Sequence, residues 1–107
     1  MTTFDERKNS FEAKFAHDQE LRFKAEARRN RLIGEWVAAQ LGLAGDDVAN
    51  YVREVRRADL QEAGDEDVFR KVRADLDAKG VVISDAELRG KLDMFLAQAV
   101  ADIEANG

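Results

Sequence analysis

Apolar positions in this chain recur with the period of an α-helix, and the pattern is broken by glycines, because the sequence contains no proline. From Leu21 to Leu41, the positions Ile33, Trp36, Val37 and Leu41, flanked by Ala25 and Leu32, predict one long helix burying a single face. Asp18 is its expected N-cap and Gly42 its left-handed terminator. After a short turn, Asp46 is the expected cap of a second helix reaching Glu62, in which Val48, Tyr51, Val52 and Val55 follow an i, i+3, i+4, i+7 pattern. Ala63 and Gly64 interrupt it. Asp65, Glu66 and Asp67 then load the first turn of a third helix with carboxylates, where the helix dipole favours them, and Val68, Phe69, Val72 and Leu76 form its inner face. Gly80 ends that helix. The apolar link from Val81 to Ile83 leads into Ser84-Asp85-Ala86-Glu87, a capping box with Ile83 and Leu88 as its hydrophobic staple. Leu88, Leu92, Phe95, Leu96, Ala99 and Ile103 carry a fourth helix towards Asn106. Connections this short imply antiparallel neighbours, hence an all-α, four-helix bundle-like domain over residues 18–107 with a long first helix.

Residues 1–17 follow a different pattern. Phe4, Phe11 and Phe15 are spaced by seven and four, which at about 100° per residue places the rings within roughly 40° of one another on a helix. Asp5, Glu6, Arg7, Lys8, Asn9, Ser10, Glu12 and Lys14 cover the other faces with polar groups. Thr3 and Glu6 form a capping box, but isolated helices under about 12–15 residues are marginal in water, and Asn9, Ser10 and His17 weaken this one. A frayed or disordered arm that becomes helical in a groove is therefore expected. Continued in phase, the stripe reaches Asp18 and Arg22, so the arm and the first bundle helix use different faces. One reading folds the rings back as core; the phase difference favours the other, in which they anchor the arm on a partner. Phe4, Asp5, Glu6, Arg7, Lys8, Phe11, Glu12, Lys14 and Phe15 are the candidate partner-binding residues.

Composition narrows the chemistry. With 107 residues the chain has room for one core, and with no cysteine it has no disulfide, thiolate metal site or cysteine nucleophile. The single histidine, His17, lacks the companions a transition-metal site needs, and nothing brings it near Ser84 as a catalytic pair. No catalytic residue and no metal site is assigned, so an enzyme is not expected. The glycines form no phosphate-cradling cluster, and the carboxylates at Asp46–Asp47 and Asp65–Asp67 are accounted for by helix starts. No apolar run approaches the roughly 20 residues of a membrane span, and the polar N-terminus carries no signal-peptide core, so a soluble cytoplasmic protein is expected. A net charge of −5 argues against general nucleic-acid binding. Locally, Arg22, Lys24, Arg28, Arg29 and Arg31 against Glu26 give five positive charges less one negative between Leu21 and Arg31. This stretch is either a solvated helix face paired with acidic neighbours or an electrostatic collar at the base of the arm. A small helical regulatory module binding RNA or an acidic protein through that face is the alternative function.

The runs Met1-Thr2-Thr3-Phe4-Asp5-Glu6-Arg7, Phe11-Glu12-Ala13-Lys14-Phe15-Ala16-His17-Asp18 and Leu21-Arg22-Phe23-Lys24-Ala25 closely resemble the start of the bacterial zeta-subunit family, small inhibitors of the rotary ATP synthase. The likeness continues through Arg28-Arg29-Asn30, Leu32, Gly34, Trp36, Leu41-Gly42-Leu43, Gly64-Asp65-Glu66-Asp67-Val68, Lys71-Val72-Arg73-Ala74-Asp75, Ser84-Asp85 and Glu87-Leu88-Arg89. It implies a four-helix domain whose N-terminal arm becomes helical as it wedges into a catalytic interface between alpha and beta subunits near the rotor, blocking ATP hydrolysis. In that role Phe4, Phe11 and Phe15 fill apolar pockets while Glu6, Arg7, Lys8, Glu12 and Lys14 set the register. It also implies a peripheral position at the inner face of the membrane when bound to the enzyme, and adenine nucleotide binding on the bundle, for which the sequence singles out no residue.

Overall fold

The computed structural model describes residues 19–59 and 65–106. Among these residues there are four α-helices and no strand: α1 (Gln19–Gln40), α2 (Asp46–Ala58), α3 (Glu66–Lys79) and α4 (Asp85–Asn106). The all-α, four-helix architecture is as expected. The Thr3–Glu6 box, the phenylalanine stripe, His17, the Asp18 cap and the break at Ala63 and Gly64 lie outside the described residues.

Contacts between the helices give their directions. Asn30 reaches Asp59 and Gly34 lies against Val52, so residue numbers fall along α1 as they rise along α2. Tyr51 bonds Asp75 and Lys71 bonds Glu54 between α2 and α3. Arg89 bonds Glu66 and Arg73 bonds Asp85 between α3 and α4. Lys91 sits over the Trp36 ring, closing α4 onto α1. Each helix is antiparallel to the one before it in the chain, and α4 to α1.

The main core draws on all four helices: Ile33, Val37 and Ala38, Tyr51 and Val55, Val68, Phe69, Val72 and Leu76, and Leu88 and Leu92, ringed by Trp36, Leu41, Val48, Ile83 and Phe95. Each fully buried Val, Leu or Ile stabilises the fold by about 1.5–3 kcal/mol relative to exposure, and the helical spacing delivers them to one side of each helix. A second, smaller cluster joins Ala25 to Val100, with Leu21, Leu96 and Ile103 packed around them. It exists because α1 and α4, at 22 residues each, outrun α2 and α3, at 13 and 14.

The helix ends follow the expected chemistry, with two corrections. Gly42 and Gly80 have φ of 78° and 81°, and in each case the following N–H bonds five residues back, Leu43 to Ala38 and Val81 to Leu76, both at 2.9 Å. Ser84 Oγ accepts from the Glu87 N–H at 3.1 Å, as the capping box requires. Asp46, however, is not the cap of α2. It is already the first helical residue, and Gly45, at φ 61°, turns the chain into the helix without a side-chain bond, leaving Asp46 and Asp47 in the first turn where the dipole favours them. The second helix also stops at Ala58, short of Glu62. Its next residue, Asp59, caps the backbone through Val55 while its carboxylate is drawn to Asn30 of α1.

Gly34 carries the α1–α2 contact. A Cβ placed there meets Val52 Cγ2 at 3.1 Å and the Val52 Cα at 3.3 Å, and the second of these is backbone. Gly34→Ala gains up to about 1 kcal/mol of helix propensity but forces the helices apart, an overpacking cost of about 1–3 kcal/mol. The expected net result is a melting temperature lower by about 4–8 °C for each kcal/mol lost. A thermal melt at or above that of the unsubstituted chain would show that Val52 makes room.

Candidate functional site

The described chain begins at Gln19, so the arm residues Phe4, Asp5, Glu6, Arg7, Lys8, Phe11, Glu12, Lys14 and Phe15 lie outside it. What the structure does place is the part of the chain that follows them, the first half of α1 against the last half of α4. Four of the five collar cations are on its surface, each beside a carboxylate. Arg22 pairs with Glu26 at 3.1 Å, Lys24 with Glu20 at 3.3 Å and Arg31 with Glu35 at 3.6 Å, all one turn along α1. Arg28 reaches Asp102 of α4 at 3.8 Å. The surplus of positive charge read along the sequence is thus largely matched by acidic partners in space, which does not favour the RNA-binding or acidic-protein alternative.

Arg29 is a correction to the collar. Its side chain is 3% exposed. Its Nε and Nη2 donate to Asn30 Oδ1 at 3.1 and 3.0 Å, and Nη2 lies 3.6 Å from Asp59 Oδ1. Asn30 Nδ2 in turn donates to Asp59 Oδ2 at 2.7 Å. The reason lies in helix length. Because α2 ends beside Asn30, the Asp59 carboxylate arrives where α1 presents Arg29, and a cation that sequence spacing assigns to solvent is enclosed. Burial pushes the Asp59 carboxyl above the ordinary carboxylate range; the Asn30 bond and Arg29 pull it back, while Glu26 and Asp67 add to the rise. Asp67, read as a dipole-stabilised helix start, is also buried and pairs with Arg70.

A second polar cluster lies midway along α2, where it faces α3. An open groove of about 370 Å³ runs between Leu41, Tyr51, Lys71, Asp75 and Lys79. Tyr51 Oη donates to Asp75 Oδ2 at 2.7 Å, and Lys71 Nζ bridges Asp75 at 2.9 Å and Glu54 at 3.4 Å while standing 5.4 Å from the Tyr51 ring centre. Burial, then the Asp75 bond, raises the Tyr51 hydroxyl; burial works against the Lys71 ammonium, but Asp75 and Glu54 raise it overall. Among the described residues no three His, Cys, Asp or Glu side chains converge as metal ligands, and no helix is long and apolar enough to cross a membrane.

A family model described as ATPase inhibitor subunit zeta matches residues 1–102. This chain belongs to the ATPase inhibitor subunit zeta family. A protein whose solution NMR structure has been solved is 48% identical to it, with a TM-score of 0.70 over 81% of this chain and 99% of that one. No curated protein gives a significant match. The zeta-family match begins at residue 1, so it takes in the phenylalanine stripe together with the bundle. One aromatic residue of this zeta-family chain is left uncovered among the described residues. Phe23 is in helical phase with Gly34, Val37 and Leu41 on α1, yet it is 68% exposed.

Proposed function

We propose that the chain is a non-enzymatic inhibitor of ATP hydrolysis by the rotary ATP synthase, acting by insertion of residues 1–17 as a helix at an alpha/beta catalytic interface near the rotor. The observation that carries this reading is the family match, which starts at residue 1 and so includes Phe4, Phe11 and Phe15. Inhibition of this kind is steric. A wedge that keeps a catalytic interface from opening, or a rotor from turning, needs shape and anchorage, and no reacting side chain.

The division of labour follows. An arm that orders on binding gives up conformational entropy at that moment, so its anchors have to be strong, and aromatic rings filling apolar pockets are the strongest available. Flanking charges at Glu6, Arg7, Lys8, Glu12 and Lys14 favour one register over others. The bundle, with extents of 39 × 28 × 25 Å, is too wide to follow a single helix into a groove and limits its depth. Bound in this way, the chain sits peripherally at the inner face of the membrane with its enzyme. Adenine nucleotide binding on the bundle is a separate proposal. The groove beside Tyr51 and Lys71 has room for such a ligand, but Lys71 and Lys79 are balanced there by Glu54 and Asp75.

Adding the purified chain to the catalytic sector of its cognate ATP synthase is expected to stop most ATP hydrolysis at a saturating amount, measured as phosphate release. Unchanged hydrolysis at any concentration would remove this reading.

A further inference from the structure

We infer that Arg53, Arg56 and Arg57 form a cationic docking face on α2, which meets a cluster of carboxylates on the catalytic sector as residues 1–17 insert. The inference deepens the proposed function and rests on it. It begins from a contrast among the arginines. Every other arginine among the described residues has a carboxylate within 3.8 Å, from the Arg22–Glu26 pair on α1 to the Arg89–Glu66 pair between α4 and α3. Arg53, Arg56 and Arg57 are exposed and have none among the described residues. Arg53 donates to the Asn50 amide oxygen, at 2.6 Å, and to no carboxylate. The cations that stand out along the sequence on α1 are thus neutralised, while these three on α2 are not.

Helical spacing gathers the three on one face. At about 100° per residue they fall within an arc of about 100°, on the side of α2 turned away from Tyr51, Val52 and Val55, and within about 6 Å of rise. The carboxylates on the same stretch of chain are engaged elsewhere. Glu54 turns to Lys71 of α3, and Asp59 to Asn30 and Arg29 of α1. The helix dipole favours Arg56 and Arg57 in the last turn, but it fades within that turn and gives Arg53 no reason to be there. The face therefore holds three guanidinium groups whose donors, the bond to Asn50 aside, no described side chain takes up.

The chemistry around the face selects the occupant. Arginine sets two N–H donors against the two oxygens of a carboxylate or a phosphate. Phosphate on a nucleic acid or a lipid surface fits the rest of the molecule poorly. The net charge is −5, and none of the exposed large apolar side chains, Phe23, Val82 and Met94, is on α2. The face has neither an exposed ring on which a base can stack nor an apolar edge to enter a membrane. A local positive face on a negative molecule suits a protein surface of the opposite local charge, where it steers association and fixes orientation. Aspartate or glutamate side chains one helical turn apart match the spacing from Arg53 to Arg56 and Arg57.

The test uses the full chain carrying Arg53→Ala, Arg56→Ala and Arg57→Ala together, with the same three positions changed to Glu and to Lys beside it. In about 0.1 M salt, half-inhibition of cognate ATP hydrolysis is expected to require about tenfold more of the alanine variant, about a hundredfold more of the glutamate variant and about two- to threefold more of the lysine variant. Melting temperatures should stay within about 2 °C of the parent, since all three positions are exposed. The deficit of the alanine variant, read against the parent at the same salt, should narrow towards about 1 M, as the screening length falls from about 10 Å to about 3 Å. Parental potency of the glutamate variant, or a deficit that salt leaves unchanged, would overturn the inference and leave the proposed function standing. If the unsubstituted chain fails to inhibit, the proposed function falls and this inference with it. A single-stranded oligonucleotide and vesicles of an anionic phospholipid probe the other occupants. Binding of either by the unsubstituted chain that the glutamate variant loses would assign the face to phosphate and overturn the inference.

Discussion

Deleting residues 1–17 is expected to abolish inhibition of ATP hydrolysis while changing the melting temperature by no more than about 2 °C, since the bundle can be built without them. Both described clusters of buried side chains are built from residues between Leu21 and Ile103. The finer form of the experiment is the double substitution Phe11→Ala and Phe15→Ala. Interface anchors cost about 2–4 kcal/mol each when truncated, so the half-inhibitory concentration should rise on the order of a hundredfold or more. Substituting Glu12 and Lys14 between them should cost far less, because exposed charges chiefly affect register and association rate. The decisive comparison is between inhibition and melting. A double variant that melts much earlier than the parent would mean that the rings are core, and truncation without loss of inhibition would mean that the bundle is the inhibitor.

Arg29→Met should be among the most destabilising changes in the bundle, although arginine usually belongs on the surface. Removing one partner of a buried ion pair leaves the other uncompensated, a cost of about 3–5 kcal/mol when fully buried, and the lower end is expected here because Asp59 keeps some exposure. The deficit should also depend on pH. Burial already raises the Asp59 carboxyl in the folded protein, opposed by Asn30 and Arg29, so loss of Arg29 raises it further. A carboxyl raised on folding binds its proton more tightly in the folded state. Its penalty is therefore absent below the unfolded value of about 3.9 and accumulates as pH rises from there to the folded value. The variant should be weakest at neutral pH and approach the parent as the pH falls towards 4, measured by urea unfolding at several pH values. A deficit that stays constant across that range would point to lost packing of the arginine stem.

The two predictions differ in how far the sequence foreshadows them. The aromatic spacing of Phe4, Phe11 and Phe15 is a local pattern, and so are the features that came through intact in the bundle: the Ser84–Glu87 cap, the left-handed Gly42 and Gly80, and the Val48, Tyr51, Val52, Val55 face. Each depends on residues within two turns of one another. What the sequence did not disclose depends on the meeting of distant segments. Arg29 and Asp59 are thirty residues apart, and their pairing follows from the early end of α2. Gly34 matters because Val52 comes within a methyl's reach of it. Phe23 is exposed although it is in phase with Val37 and Leu41, an outcome that no periodicity in α1 contains.

The length of α1 has a mechanical side. Under the proposed wedge, a load on the arm would enter the bundle through the first turn of α1. From Gln19 to Gln40 this helix is unbroken and contains no proline, and at 1.5 Å per residue it is about 33 Å long, most of the domain's 39 Å extent. A push along that wedge would run parallel to the helix axis. Along its length α1 is held first against α4, through the small cluster, and further on by the main core it shares with all three other helices.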